Sequence, residues 1–431
     1  MSFQTGLSGL NASSKSLDVI GNNIANANTV GMKSSRAEFA DLVASSLGTG
    51  GGGNAAGIGV SVGTIAQQFT QGNINITGNS LDVAINGGGF FQVTKTDGSA
   101  AYTRDGQFKL NKDGNIITNT GANLMGYATD LKGVPTSTTP QKLSVPTNAP
   151  IPASATTLMT ADFNLDARTK IASNVVPPTP IGTYGTSLNA YDSQGVALPV
   201  SLYFSKLDPT TSGLTTTVPT DQWAVYDKTI DNTTVPPSAP TPIGYLAFDS
   251  TGKLSKTFNN SKAATATLGQ LPVTLTPTPP SIIVGFPTTL DLSKATQFGV
   301  AFNVSNLTQD GYTAGELTGL SIEPSGVITT RYSNGQTQSR GQIALADFRN
   351  VQGLSPVGAG EYLETFASGQ PVQGSPATGK FGELRAGALE ESNVDLTAEL
   401  VNMMTAQRAY QANAQTIKTQ DQVLSTLVNL R

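Results

Sequence analysis

Apolar residues at the start of the chain recur with a seven-residue spacing. Phe3, Leu10, Leu17 and Ile24 follow one another at this interval, with Leu7 between the first two. The spacing places these side chains on one face of an α-helix. A strict repeat of seven is typical of helices that pair with other helices. The pattern therefore predicts an amino-terminal helix whose apolar stripe serves helix packing.

The end of the chain repeats this pattern. The apolar positions are Leu396, Met403, Tyr410, Ile417 and Leu424, with Leu400, Ala414 and Val428 on intervening turns. Cap-type side chains come just before this series, at Ser392, Asn393 and Asp395. Such side chains start helices, and acidic ones suit the positive end of the helix dipole. We therefore predict a second, carboxyl-terminal helix.

Both predicted helices carry few charges outside their stripes. Lys15 and Asp18 are the charged residues of positions 1–31, and Arg408 is the charged residue of positions 400–416. An apolar stripe alone is more often turned to a protein's own core. The strict repeat and the scarcity of charge instead favour helices that are covered on a second side by further subunits. Charged residues make up 13% of the whole chain, about half the usual fraction, which also favours self-association.

The pattern changes between the two helices. No proline lies in residues 1–134 or after Pro376, and most lie between 135 and 287. Glycine-containing turn signals separate short apolar runs at Asn86–Gly89, Asp97–Gly98, Asp105–Gly106, Asp113–Gly114 and Asn334–Gly335. These signals predict hairpins and a meander of short strands. The proline- and threonine-rich stretch 135–294 has strand-like pieces of its own and predicts a separate β module.

These patterns predict an α+β multidomain fold in which the two ends pair and the β material is nested between them. The expected domains are a coiled-coil-like helical domain of 1–30 and 393–431, an extended connector of 31–75 and 360–392, a first β domain of 76–149 and 301–359, and an outer β domain of 150–300.

The composition excludes most kinds of catalytic site. The 431 residues include neither cysteine nor histidine, so thiolate chemistry, a Ser-His-Asp triad and a histidine-ligated zinc are ruled out. Glu390 and Glu391 are adjacent, but acids just before a helix have an electrostatic reason to be there. We predict no enzyme activity and no catalytic, cofactor or metal site. A net charge of −4 without a basic run argues against nucleic acid as a partner.

The glycine run at 48–53 matches a dinucleotide-binding fingerprint only formally. That fingerprint follows a strand and opens a helix, whereas the preceding segment RAEFADLVASSL, residues 36–47, has a helical pattern. We interpret the run, with the glycine-rich residues up to 57, as a flexible connector.

Asparagines cluster where the first helix pattern stops, at Asn22, Asn23, Asn26 and Asn28. Asparagine and glycine are poor in helix interiors and tolerate turns, so the cluster predicts the end of the helix. Uncharged amides also satisfy backbone groups in a crowded interface at low cost. Asn22, Asn23 and Asn26 are therefore predicted to lie in a subunit interface.

Four ordered segments of the chain resemble the family of bacterial flagellar rod, hook and hook-associated axial proteins. They are SGLNASSKSLDVIGNNIANANTVGMKSSRAEFADL, NSLDVAINGGGFFQV, YTRDGQFKLNKDGNIITNTGANLMGY and GALEESNVDLTAELVNMMTAQRAYQANAQTIKTQDQVLSTLVNLR. The large central module favours the hook members of the family. Met32 departs from the pattern, since the family more often has an aromatic residue there.

The resemblance implies a structural subunit that self-assembles into a curved hollow tube, the flagellar hook, and transmits torque as a universal joint. The implied subunit contacts are those of the terminal helices, at Phe3, Leu7, Leu10, Leu17, Ile24, Asn22, Asn23, Asn26, Leu396, Leu400, Met403, Tyr410, Ile417, Leu424 and Val428.

The resemblance also implies partners and a location. The partners are further copies of the chain, the rod, hook-cap and hook–filament junction proteins, and the flagellar type III export apparatus, with no membrane insertion and no cofactor. The location is extracellular, on the flagellum, reached without a cleavable signal peptide. The alternatives are a distal rod or hook–filament junction protein, or an extracellular carbohydrate-binding module or enzyme in the central region.

Overall fold

The computed structural model describes residues 2–43, 57–147, 150–171, 184–214, 221–227, 241–275 and 285–429. The chain forms two compact units. The terminal unit comprises Met1–Asn148, Thr318–Arg331 and Thr337–Arg431, and the central unit comprises Ala149–Leu317 and Tyr332–Gln336. The predicted glycine-rich connector at 48–57 lies outside the described residues, apart from Gly57.

The two terminal segments form helices that pack against each other, as predicted. Helix α1 spans Ser2–Ala25 and helix α2 spans Leu396–Asn429. The Asp395 carboxylate accepts hydrogen bonds from the backbone N–H groups of Thr397 and Ala398, at 2.9 and 3.2 Å. It is therefore the amino-terminal cap of α2. The predicted α+β fold with paired terminal helices is confirmed.

Residues 36–43 are not helical, contrary to the sequence-based expectation. Strand β1, Ser35–Val43, pairs antiparallel with strand β2, Gly57–Gln67. The hairpin lies against α1, and the Val60 N–H donates to Ser8 Oγ at 3.2 Å. A partner strand and a helix surface thus override the weak helical preference of this segment.

The remaining strands before the central unit are short. They are β3 Ile74–Ile76, β4 Val83–Asn86, β5 Phe90–Thr94, β6 Ala100–Thr103, β7 Phe108–Leu110, β8 Ile116–Thr118, β9 Asn123–Tyr127 and β10 Gln141–Lys142. The turns predicted at Asp97–Gly98 and Asp113–Gly114 join antiparallel pairs, β5 with β6 and β7 with β8. These two hairpins are confirmed. The turn predicted at Asp105–Gly106 does not join a hairpin, since β6 pairs with β5 and β26 while β7 pairs with β8.

The central unit is a two-sheet β structure with its own core. Its strands are β11 Leu158–Asp166, β12 Tyr184–Tyr191, β13 Ala197–Leu207, β14 Asp221–Tyr226, β15 Gly244–Phe248, β16 Leu254–Asn259, β17 Gln270–Leu275, β18 Phe286–Asp291, β19 Thr296–Phe298 and β20 Asn303–Gln309. One sheet is the meander β12–β16, and the other contains β11 and β17–β20. Trp223 and Phe204 of the first sheet share one apolar cluster with Phe163 and Leu290 of the second. The unit extends to Leu317, beyond residue 300, because β20 pairs along β11.

The chain then returns to the terminal unit. The last strands are β21 Leu317–Ile322, β22 Val327–Tyr332, β23 Thr337–Ile343, β24 Leu345–Asp347, β25 Ser355–Gly358, β26 Glu361–Leu363, β27 Val372–Gly374, β28 Glu383–Ala386 and β29 Ala388–Glu390, with a 3-10 turn at Val351–Gly353. A 13-stranded sheet runs in the order β21-β22-β23-β9-β5-β6-β26-β25, with β7, β8, β10, β24 and β27 attached at its sides. The hairpin predicted at Asn334–Gly335 joins β22 and β23 and is confirmed.

The hairpin predicted at Asn86–Gly89 is wrong. Strand β4 pairs with β28, while β5 pairs with β6, β9 and β24. The glycines serve a close backbone approach instead, since the Gly382 N–H donates to the Gly88 carbonyl at 2.9 Å. A Cβ added at Gly87 would lie 2.8 Å from the Gly382 Cα. Glycine is needed here because another chain segment crosses the loop.

Candidate assembly surface

Small residues bring the two terminal helices into close contact. A Cβ added at Gly6 would lie 3.1 Å from Ile417 Cγ1, and one added at Gly9 would lie 2.9 Å from Asn413 Nδ2. The Asn413 amide also donates to Ser13 Oγ at 3.4 Å. Ile417, on the α2 side of this interface, belongs to the predicted apolar heptads, whereas the small residues on the α1 side do not. The signal that could have found this interface is the three-residue spacing of small residues along α1.

The apolar stripe of α2 is divided between two surroundings. Met403 and Ile417 are half-buried. The other large apolar residues of α2 whose side chains the structure describes remain exposed in the isolated chain: Leu396, Leu400, Val401, Met404, Tyr410, Val423 and Leu424. Leu400 is 51% exposed and Tyr410 is 38% exposed. Most of the predicted contact residues on α2 therefore lie on a surface that their own chain does not cover. By the helical spacing, Leu396, Leu400, Val401, Met404 and Tyr410 lie on one half of the helix, and we call these five residues the α2 apolar face.

The predicted residues of α1 are less exposed. Leu10, Leu17 and Ile24 are half-buried, and Leu7 is 45% exposed. The side chains of Phe3 and Val428 lie outside the described part of the structure. Helix α1 lies against both α2 and the β1–β2 hairpin, which explains its greater burial.

Asn23 is used inside the subunit. Its side chain is buried, its amide donates to the Ser35 carbonyl at 2.8 Å, and its Oδ1 accepts from the Ser35 N–H at 2.9 Å. Its amide also donates to Glu399 Oε1 of α2 at 3.3 Å. Asn23 therefore joins α1, β1 and α2 within the subunit, and its place in a subunit interface stays a prediction. Asn22 is exposed and Asn26 is half-buried, and both can still contribute.

A buried ionic cluster connects the helical ends to the β sheet. Lys33 Nζ lies 2.6 Å from Glu390 Oε1, and Arg104 Nη1 lies 3.1 Å from Glu390 Oε2. The Gly72 N–H donates to Glu390 Oε1 at 3.0 Å, and Lys33 Nζ donates to the Thr70 carbonyl at 2.8 Å. Burial lowers the pKa of Lys33, and the Glu390 carboxylate opposes that shift. Glu390 thus holds together four chain segments, instead of serving the start of α2.

Asn393 reinforces the same junction. Its side-chain amide donates to the carbonyl groups of Gln68 and Thr70 at 2.7 and 3.1 Å, and its Oδ1 accepts from the Ser34 N–H at 2.8 Å. The last residues before α2 are therefore fixed to the chain just before β1 and just after β2. The orientation of both terminal helices depends on these polar contacts.

Within the described ranges, no group of three histidine, cysteine, aspartate or glutamate residues is arranged to hold a metal ion. Neither described helix is long and apolar enough to cross a membrane.

Four family models match the chain in order. Residues 3–33 match "Flagella basal body rod protein", and residues 84–161 match "Flagellar hook protein FlgE/F/G D1 domain". Residues 164–312 match "Flagellar basal body protein FlaE D2 domain", and residues 385–430 match "Flagellar basal body rod FlgEFG protein C-terminal". The matches cover the terminal helices, strands β5–β10 of the terminal unit and most of the central unit.

Similar proteins cover the whole chain. It is 40% identical over 444 residues to the flagellar hook protein FlgE of Escherichia coli (strain K12), and 39% identical over 452 residues to that of Salmonella typhimurium (strain LT2), with full coverage of both chains in each case. The hook protein FlgE of Rhizobium meliloti (strain 1021) is 33% identical over 436 residues, covering all of this chain and 98% of that protein.

The fold is also similar to a solved structure. The crystal structure of Helicobacter pylori flagellar hook protein FlgE2 matches 73% of this chain and 100% of its own chain, with a TM-score of 0.53 and 16% sequence identity. That likeness concerns the fold, while the sequence identities above establish the relationship. This chain therefore belongs to the bacterial flagellar hook proteins, and it is a structural subunit of the hook.

Proposed function

We propose that copies of this chain polymerise through their terminal helices into a curved hollow tube that transmits torque as a universal joint. The observation that supports this proposal is the α2 apolar face. It leaves five large apolar side chains exposed on a helix that is already paired with α1 along another side. Such a surface is exposed to water in a monomer, which is unfavourable, whereas a second copy would bury it.

The energy available from this surface is substantial. Complete burial of a leucine or methionine side chain contributes about 1.5–3 kcal/mol, and Leu400, Val401 and Met404 are each about half exposed. The same contact recurs at every subunit in a polymer. A contact between two different surfaces of identical copies can repeat from copy to copy, and it produces an open helical filament when the rotation between copies does not close into a ring.

The low charge of the helices supports the same arrangement. Arg408 is the charged residue of positions 400–416 in α2, so packing this part of α2 between neighbours would desolvate few charges. Glutamine, asparagine and threonine supply most of its polar surface. Their uncharged groups can form hydrogen bonds across a subunit contact at low desolvation cost.

We place the polymer outside the cell, on the flagellum, joined to the rod at one end and to a junction protein at the other, with a cap protein guiding its growth. Export by the flagellar type III apparatus without a cleaved signal peptide completes the proposal. The chain has a structural role and no catalytic one, since its sequence offers neither a thiolate nor an imidazole.

Assembly of the purified chain tests the proposal. The protein is concentrated, and the pelleted fraction is measured by sedimentation and imaged by negative-stain electron microscopy. We expect hollow tubes above a critical concentration, and a soluble monomer when residues 396–431 are removed. A full-length protein that stays monomeric at every concentration would contradict the proposal.

A further inference from the structure

Phe366 is exposed without any cover from its own chain. Its side chain has 105% of the reference exposed area, the largest value among the exposed apolar residues of the described structure. It lies in the terminal unit, between strands β26 and β27. Exposing a phenyl ring to water is unfavourable, and aromatic residues are enriched at protein interfaces.

The loop that carries Phe366 is held in place by hydrogen bonds on both sides of the ring. Thr365 Oγ1 donates to the Gly353 carbonyl at 2.6 Å, and its backbone N–H donates to Ser368 Oγ at 2.9 Å. The Asn350 amide donates to the Ala367 carbonyl at 3.0 Å. Ser368 itself is buried. The loop therefore presents the ring in a preorganised position, which reduces the entropy lost on binding.

The same unit contains a cleft with a partly apolar lining that no described residue of its own chain fills. It lies between α1, the end of β2 and the β25–β26 hairpin, and its volume is about 510 Å³. Val19, Met32, Ile65, Pro356 and Tyr362 contribute its apolar lining. Ile65 is 51% exposed, so apolar surface is accessible from outside. This volume is in the range of clefts that bind small apolar groups.

The loop and the cleft are built on the same part of the unit. The Gln352 amide donates to the Gln67 carbonyl at 2.7 Å, and Gln67 lines the cleft. Gln352 belongs to the short turn whose neighbour Asn350 holds the Phe366 loop. The position of the loop is therefore fixed relative to the cleft within each copy.

We propose that Phe366 of one copy inserts into the cleft between α1 and the β25–β26 hairpin of a neighbouring copy. This inference rests on the proposed polymerisation and adds a specific contact outside the α2 apolar face. The Phe366 loop and the cleft are different surfaces of the same chain, so each copy can offer its loop to one neighbour and its cleft to another, and the contact repeats along the polymer. The occupant of the cleft is a second copy of this chain.

Cysteine cross-linking tests the contact directly, because the chain has no cysteine of its own. Phe366→Cys and Ile65→Cys proteins are mixed, polymerised and treated with a short thiol cross-linker. We expect cross-linked dimers in the polymer and none in the unpolymerised mixture. The matched control is a mixture of Phe366→Cys with Ile76→Cys, since Ile76 is 66% exposed in the same unit but does not line the cleft. That mixture should give no dimers.

A second measurement compares polymerisation. Phe366→Ala should raise the critical concentration about tenfold or more, as expected for loss of a central aromatic anchor, and should leave the monomer's melting temperature unchanged. Ile76→Ala should have little effect on either quantity. An unchanged critical concentration for Phe366→Ala, or wild-type-like polymers in which the Phe366→Cys and Ile65→Cys proteins do not cross-link to each other, would overturn this contact alone. Failure of the wild-type protein to polymerise would overturn the proposed function and this contact with it.

Discussion

Lys33 and Glu390 form an ion pair with a 2.6 Å separation and no solvent exposure of either side chain. The two residues belong to the segments that connect the terminal helices to the β sheet, and Arg104 of the sheet binds the second carboxylate oxygen. A buried carboxylate is tolerated only when its charge is neutralised and its oxygens accept hydrogen bonds. Glu390 meets both conditions, so the cluster fixes the segment after α1 and the segment before α2 relative to each other.

Loss of the Glu390 charge should destabilise the terminal unit strongly. Glu390→Gln leaves Lys33 and Arg104 buried without their carboxylate, which typically costs about 3–5 kcal/mol of unfolding free energy. Denaturant unfolding measures the loss. The double variant Lys33→Met with Glu390→Gln should lose less than the sum of the two single variants, because the interaction is shared. Strict additivity would show that the pair is not coupled.

Two glycines of α1 should respond oppositely to substitution. Gly21→Ala should stabilise the protein by up to about 1 kcal/mol, because alanine favours a helix and no atom lies within 4 Å of the added Cβ. Gly6→Leu should separate α1 from α2, because even a Cβ at that position lies 3.1 Å from Ile417 Cγ1. Thermal unfolding followed by circular dichroism checks both changes. Equal effects at the two positions would argue against close helix contact at Gly6.

Tyr410→Asp should prevent polymerisation while leaving the monomer folded. Tyr410 belongs to the α2 apolar face, and an unpaired carboxylate buried there by a neighbouring copy would cost several kcal/mol at each subunit added. In the monomer the position is exposed, so the stability change should stay within about 0.5 kcal/mol. The matched control is Gln407→Asp, at an exposed polar position of the same helix, which should be milder. Sedimentation measures the polymer and circular dichroism measures the monomer.

That experiment can also reject the assignment of α2. Unfolding of the β sheet by Tyr410→Asp, with polymerisation retained in the folded fraction, would place this tyrosine in the subunit's own core.

Alkaline pH should weaken the terminal unit through Tyr362. Burial raises the pKa of this tyrosine to about 12, whereas its usual value is about 10. The folded state thus keeps a proton that the unfolded state has lost. The contribution of the protonated Tyr362 hydroxyl to the unfolding free energy is fully present below about pH 10 and is lost as the pH rises through 12. About 1.4 kcal/mol of unfolding free energy is lost by pH 11.

Tyr362→Phe should remove this part of the pH dependence. The unfolding free energy of both proteins is measured at about pH 8 and pH 11. Between these two pH values, the variant should lose about 1.4 kcal/mol less unfolding free energy than the wild-type protein. The same slope in both proteins would assign the alkaline loss to other groups.

The central unit should be dispensable for polymer formation and necessary for the shape of the tube. It has its own apolar core, which includes Trp223 and Phe204, and it contains neither terminal helix. Replacing residues 149–317 with a short flexible linker should therefore leave a folded terminal unit that forms straight or irregular tubes. Electron microscopy measures their shape. A folded variant that forms no polymer would show that the central unit carries a main assembly contact.

The sequence alone determined the features that depend on near neighbours. The seven-residue repeats produced α1 and α2, Asp395 capped the second helix, and Asp97–Gly98, Asp113–Gly114 and Asn334–Gly335 became hairpins. In each case the decisive residues lie within a few positions of one another. Local backbone preference and periodicity are then sufficient.

Tertiary structure decided the features whose partners are distant along the chain. Residues 36–43 became a strand because β2 and α1 cover them, and the glycines after Asn86 make room for Gly382 instead of closing a hairpin. The position of Glu390 in the sequence is typical of an acid near a helix start, but in the structure its carboxylate pairs with Lys33 and Arg104. Contacts between segments hundreds of residues apart leave no periodic signal, and their energies exceed the small local propensities on which sequence-based prediction depends.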